Sequence, residues 1–109
     1  IDLNFLGHQL VLHRVESAAA IILDANPVDG EHVPVPHFGV VLDWEVFEAL
    51  TERLVAQQCD FVIPPTVRFE GRVGEQKTCF LKDPSGNCLE FKTFRQPDRL
   101  FATDAAAYQ

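Results

Sequence analysis

Several common protein classes leave signatures that this 109-residue sequence does not have. Its three cysteines form no CxxC pair and are odd in number, so neither a disulfide framework nor a zinc knuckle is indicated. It has no GxGxxG fingerprint, P-loop or nucleophile elbow. A basic patch is also absent, and the formal charge of −7 argues against nucleic acids and anionic membranes as partners.

Long apolar stretches are absent as well. No segment is long enough to span a bilayer and no signal peptide is recognisable, so we expect a cytoplasmic protein with no membrane partner. An apolar content of 47% is ordinary for a globular protein, and 109 residues suffice for at most one domain. The sequence starts within a strand pattern and without methionine, so we expect further residues before Ile1, or a partner chain that completes the sheet.

The stretch from Phe80 to Phe94 carries the strongest local pattern. Residues 83–87, with the sequence DPSGN, form a concentrated turn signal, because Pro fixes φ, Gly accepts positive φ, and Asp and Asn bond their own backbone. Apolar runs on both sides predict a β-hairpin. Glu90 lies between apolar neighbours in the second strand. The alternation of side chains along this strand leaves two interpretations of Glu90 open. It is either a carboxylate on a solvated sheet face or a carboxylate that binds a metal ion or a proton.

The N-terminal third of the sequence predicts a hairpin followed by a connection. Residues 1–16 alternate on both sides of a tight turn at Leu6-Gly7, which is the pattern of two antiparallel strands. Residues 17–36 have no clear period and contain several turn residues. We therefore interpret them as a long linker, with one short extended piece at residues 20–23.

After this linker, the pattern predicts a strand, a helix, another strand and the hairpin described above. HFGVVL, at His37–Leu42, is typical of a compact strand. Apolar residues recur at helical spacing over Trp44–Gln58, and Asp43 is a suitable N-cap for that helix. A further strand within residues 61–70 is expected to be interrupted by two consecutive prolines.

Three stretches of this unit resemble a known family: PHFGVVLDWEVFEALTERL, FVIPP and GEQKTCFLKDPSGNCLEFKTF. They are similar to the second module of the vicinal oxygen chelate superfamily, which includes glyoxalase I, extradiol dioxygenases and the bleomycin and fosfomycin resistance proteins. The resemblance implies an α+β fold in which paired βαβββ modules form a cupped mixed sheet. Residues 1–16 would then end a first module that is incomplete in this chain, residues 17–36 would link the modules, residues 37–102 would form the second module, and residues 103–109 a tail.

The resemblance also implies a divalent metal ion (Fe2+, Mn2+, Zn2+ or Ni2+) on the concave side of the sheet. His37 matches the histidine that opens the first strand of the second module, and Glu90 matches the carboxylate of its last strand. Aligning the two hairpins places Val11, which cannot coordinate a metal, where glyoxalase I has a glutamate. His13 lies one pleat further along and is the candidate substitute. We expect the His37 and Glu90 side chains to converge, with donor atoms ~3 Å apart.

Two functions from different classes follow from the resemblance. The first is a metalloenzyme of the dioxygenase or of the lyase and isomerase type, which binds a small substrate through adjacent oxygens and is expected to form a homodimer. The second is a metal-free module that binds small molecules, like the bleomycin resistance proteins. Arg68, Arg72 and Glu75 are candidates for contacts with the substrate in either case.

Overall fold

A computed structural model describes residues 1–16, 24–28 and 30–103. Within these ranges the chain forms eight strands, one α-helix and a short 3-10 helix at Pro97–Arg99. In chain order, the strands and the helix are β1 (Asp2–Phe5), β2 (His8–Val11), β3 (Asp24–Val28), β4 (Glu31–Val35), β5 (Phe38–Val41), α1 (Trp44–Ala56), β6 (Phe61–Arg68), β7 (Gln76–Lys82) and β8 (Cys88–Phe94). No helix in the described part of the chain is both long and apolar enough to cross a membrane.

The central sheet has four strands in the order β5-β8-β7-β6. β5 runs parallel to β8, whereas β7 pairs antiparallel with both of its neighbours, so the sheet is mixed. The connection between β5 and β6 contains α1, which packs against one face of the sheet. One helix on a mixed sheet confirms the α+β class predicted from the sequence.

Helix α1 forms because its apolar residues recur on one face of the helix, and because Asp43, which directly precedes it, has an extended backbone. Asp43 occupies the N-cap position as predicted, although its side chain makes no capping hydrogen bond. Phe47 is fully buried and packs with Cys79 and Phe91 from the sheet. This contact covers the helix face of the sheet and leaves the opposite face for other side chains.

The turn between β7 and β8 has the conformation that its sequence indicates. Asp83 Oδ1 accepts hydrogen bonds from the backbone N–H groups of Ser85 and Asn87, and the Asn87 amide donates to Asp83 Oδ2. Gly86 has a φ of 92°, which the missing Cβ permits. The hydrogen bonds fix the register of β7 against β8, and that register decides which side chains lie beside Glu90.

Strand β6 is continuous across Pro64 and Pro65, which were expected to interrupt it. The strand lies at the edge of the sheet, and its pairing with β7 shifts register twice, between Phe61 and Ile63 and between Ile63 and Thr66. An edge strand with bulges tolerates prolines because the missing N–H groups are not needed by a second neighbour.

The predicted linker contains a hairpin that its sequence pattern does not indicate. Within residues 17–36, β3 and β4 form an antiparallel pair in which Asp24 lies opposite Val35 and Val28 lies opposite Glu31. Val33 of β4 is buried in a cluster on the face of the sheet opposite the helix. Its neighbours there are Ile63, Phe80 and Cys88. The extended piece that was expected at residues 20–23 lies outside the described residues.

The first hairpin has the predicted tight turn. Leu6 and Gly7 both have positive φ, 55° and 86°, and β2 ends at Val11. Phe5 packs on the helix-side cluster, with its ring centroid 6.1 Å from that of Phe91. The described contacts therefore connect this hairpin to the sheet through an aromatic pair.

Candidate metal centre

The side chains around Glu90 lie on the sheet face opposite the helix, which we call the site face. It is formed by Thr78 and Phe80 of β7 and by Glu90 and Lys92 of β8. Phe80 is the register partner of Glu90 and Thr78 is that of Lys92, so all four side chains point to the same side. His37 directly precedes β5, the parallel neighbour of β8, and its side chain reaches this face from there.

Both edges of the His37 ring have a defined partner. Its Nδ1 lies 2.7 Å from the carbonyl oxygen of Pro34, at the end of the β3–β4 hairpin. A carbonyl oxygen only accepts hydrogen bonds, so this contact assigns the proton to Nδ1. The ring stands edge-on to Phe80, with centroids 5.0 Å apart and an interplanar angle of 78°. Pro34 and Phe80 thus orient the ring with Nε2 directed toward Glu90.

The two carboxylate oxygens of Glu90 face different partners. Oε1 accepts a hydrogen bond of 2.6 Å from the Thr78 hydroxyl and lies 3.3 Å from Lys92 Nζ. Oε2 lies 3.3 Å from His37 Nε2. Only 13% of the Glu90 side chain is exposed, so the carboxylate depends on these contacts rather than on bulk water.

The contact between His37 and Glu90 has a specific electrostatic requirement. With the proton on Nδ1, a neutral His37 presents a bare Nε2 lone pair to a carboxylate oxygen, which is repulsive. The contact is favourable only when a proton or a metal cation lies between the two atoms. Two donors bound ~2.1 Å from one ion, at an angle of roughly 90 to 105°, are ~3.0 to 3.3 Å apart. The observed separation of 3.3 Å therefore fits a pair of metal ligands.

Gly39 allows β5 to approach this pair closely. It is the register partner of Glu90, and a Cβ at this position would lie 1.6 Å from the Glu90 carbonyl oxygen. No side chain can occupy that space without moving the strand. The glycine therefore permits the strand spacing that brings His37 beside Glu90.

His13 is not brought to this pair. It is exposed and lies beyond the end of β2, and no group of three or more His, Cys, Asp or Glu side chains suited to a metal occurs in residues 1–16, 24–28 and 30–103. Val11, the aligned position, is 45% exposed. The ligand roles of His37, Glu90 and His13 stay predictions.

The three candidates for substrate contacts lie near the β6–β7 loop. Arg68 Nη2 donates to the carbonyl oxygen of Val28 at 3.1 Å, which connects the β3–β4 hairpin to β6. Glu75 accepts hydrogen bonds from the Gly71 N–H and from Arg95 Nε, and the Gly71 bond is the main cause that lowers the pKa of Glu75. For Arg68 and Glu75 these bonds are structural, and a substrate role for either residue or for Arg72 stays a prediction.

Comparison with known proteins agrees with this geometry. A family described as the Glyoxalase/Bleomycin resistance protein/Dioxygenase superfamily matches residues 7–91, and the chain belongs to this superfamily. A crystal structure of a glyoxalase/bleomycin resistance protein/dioxygenase from Alicyclobacillus acidocaldarius is similar, with a TM-score of 0.69 and 31% identity over 91% of this chain and 69% of that one. No curated protein matches the sequence. The family predicted from the sequence is confirmed, whereas the pairing of two modules stays a prediction.

Proposed function

We propose that the chain is a metalloprotein that binds a small oxygen-chelating substrate at a divalent ion held by His37 and Glu90. The observation that carries this proposal is the 3.3 Å separation of His37 Nε2 and Glu90 Oε2, with Nδ1 bonded to Pro34. Imidazole and carboxylate together suit Fe2+, Mn2+, Zn2+ or Ni2+. Members of the superfamily commonly use divalent metals, which agrees with this donor set.

The residues of the site have separate tasks in this proposal. Pro34 and Phe80 hold the imidazole in the tautomer and the orientation in which Nε2 is a donor. Thr78 holds Oε1 of Glu90 and leaves Oε2 for the ion. A bound divalent ion would supply Lewis-acid chemistry to adjacent oxygens of a substrate. We propose an enzyme of the dioxygenase or of the lyase and isomerase type, with His13 as the candidate further ligand.

The proposal is tested by the metal content of the purified protein after loading with Mn2+, Fe2+, Ni2+ or Zn2+ and removal of excess ion. We expect close to one ion per chain in the wild type and loss of that ion in His37→Gln and in Glu90→Gln. Glu48→Gln, a charge-matched change on helix α1, should retain the ion. Equal metal content in all four proteins would contradict the proposal. A wild type without metal that still binds small ligands would favour the bleomycin-resistance type of function.

A further inference from the structure

Lys92 lies in the site but has no task in the metal site proposed above. Its Nζ is 3.3 Å from Oε1 of Glu90, the oxygen that Thr78 also contacts. An ion held by Oε2 and His37 therefore does not need to displace Lys92. The ammonium would stay beside the ion, on the far oxygen of the same carboxylate.

This position leaves Lys92 with unused hydrogen-bonding capacity. An ammonium group has three N–H donors, and among the described residues the contact with Glu90 uses one of them. The side chain is only 27% exposed, so water compensates its charge incompletely. A partly buried cation with free donors favours an anionic partner.

The charge balance of the site leads to the same partner. Without an ion, the charges of Glu90 and Lys92 cancel. A divalent ion would leave two positive charges uncompensated on the site face, since His37 is neutral when it is a ligand. An anionic ligand compensates those charges, whereas a neutral chelator does not.

We propose that Lys92 binds an anionic oxygen of the substrate, and that the substrate is a small carboxylate with a second oxygen on the adjacent carbon. This inference rests on the metal site proposed above. One carboxylate oxygen and the neighbouring oxygen chelate the ion, and the remaining carboxylate oxygen accepts a hydrogen bond from Lys92. Lys92 thereby selects chelators that carry a further carboxylate oxygen over chelators that do not.

The test compares two chelators on the Co2+-loaded protein, followed by the visible absorption of the ion. Oxalate chelates the ion through two oxygens and has two more carboxylate oxygens that could accept a hydrogen bond from Lys92. Acetohydroxamate chelates the ion through its only two oxygens. We expect Lys92→Met to weaken oxalate binding at least about tenfold, as loss of a charged hydrogen bond does, and to change acetohydroxamate binding less than about twofold. Lys92→Arg should restore most of the oxalate affinity.

Lys82→Met is the matched control, because Lys82 is exposed, lies at the C-terminal end of β7 and contributes the same charge. It should leave the affinities for both chelators unchanged. Unchanged oxalate binding in Lys92→Met, or equal weakening of both chelators, overturns the role of Lys92 and leaves the metal site standing. A wild type that takes up no Co2+ overturns the metal site, and the role of Lys92 with it.

Discussion

At the scale of single residues, the site depends on how each polar atom is partnered. Glu90 has one oxygen bonded to Thr78 and Lys92 and the other directed at His37. This division favours binding of an ion by a single carboxylate oxygen. The residue that enforces it is Thr78, because its hydroxyl is within 2.6 Å of Oε1 and its side chain is buried.

Thr78→Val removes this hydroxyl while keeping the shape of the side chain. We expect metal affinity to fall about tenfold, since loss of a partner that orients a ligand typically weakens binding 10- to 100-fold. Competition with a chromophoric chelator measures the change. The matched control is Thr93→Val on the opposite face of β8, where the buried hydroxyl has no hydrogen-bond partner within the described residues. Equal metal affinity in Thr78→Val and Thr93→Val would show that Thr78 does not orient Glu90.

Gly39→Ala tests the close approach of β5 to β8. The added Cβ would lie 1.6 Å from the Glu90 carbonyl oxygen, so the strands must move apart. We expect a loss of about 1 to 3 kcal/mol in the free energy of unfolding, the range of an overpacked site, measured by urea denaturation. Val41→Ala, at an exposed position of the same strand, should lose much less. A Gly39→Ala protein as stable as the wild type would mean that β5 is not held this close.

At the scale of secondary-structure elements, the sequence predicts structures that depend on contacts between sequence neighbours, but not those that depend on contacts between distant segments. The turn at residues 83–87 was predicted because its hydrogen bonds join neighbours in the sequence. The β3–β4 hairpin was missed because it contains Pro27 and Pro34 and is stabilised by burial of Val33 on a distant part of the sheet. The contact of His37 with the Pro34 carbonyl was missed for the same reason, since it is set by packing of this hairpin. His37 and Glu90 were found through resemblance, and neither spacing nor periodicity identifies them as ligands.

The turn between β7 and β8 predicts a dependence of stability on pH. Burial raises the pKa of Asp83, but hydrogen bonds from Asn87 and from neighbouring backbone N–H groups lower it below the ordinary 3.8 overall. A depressed folded-state pKa contributes stability above the unfolded value, and this contribution is lost as pH falls through the folded pKa. Asp83→Asn should therefore be less stable than wild type at pH 7, by about 1 kcal/mol. The difference should begin to shrink below about pH 4, where the carboxyl of the unfolded chain becomes protonated, and should be lost as pH falls through the lower pKa of the folded state.

Chemical denaturation of both proteins between pH 2.5 and pH 7 measures this difference. Asp60→Asn, at an exposed position before β6, is the control and should follow the wild type throughout. A difference between Asp83→Asn and wild type that stays constant over the whole range would show that the Asp83 charge makes no contribution.

At the scale of the whole molecule, the proposed ion would join parts of the chain that are far apart in sequence. His37 directly precedes β5, and Glu90 lies in the neighbouring parallel strand β8. The β3–β4 hairpin accepts a hydrogen bond from His37 through Pro34 and shares a buried cluster with Cys88 of β8 through Val33. An ion that binds only the folded state raises stability in proportion to the logarithm of its concentration over Kd. The gain in thermal stability on adding metal therefore depends on every residue that coordinates the ion, including any such residue from the first hairpin.

His13 is the residue that this measurement decides. With free metal at 100 times the Kd, the wild type should gain about 2.7 kcal/mol of stability, and Glu90→Ala should gain almost nothing. Val11→Ala should gain as much as the wild type, because a valine side chain coordinates no metal. If His13→Ala keeps the full gain, His13 is not a ligand, and the site has open positions for a bidentate substrate and for dioxygen or water, as dioxygenase chemistry requires. If His13→Ala loses the gain as completely as Glu90→Ala, His13 is a ligand, and the fuller coordination favours an isomerase that binds one bidentate substrate.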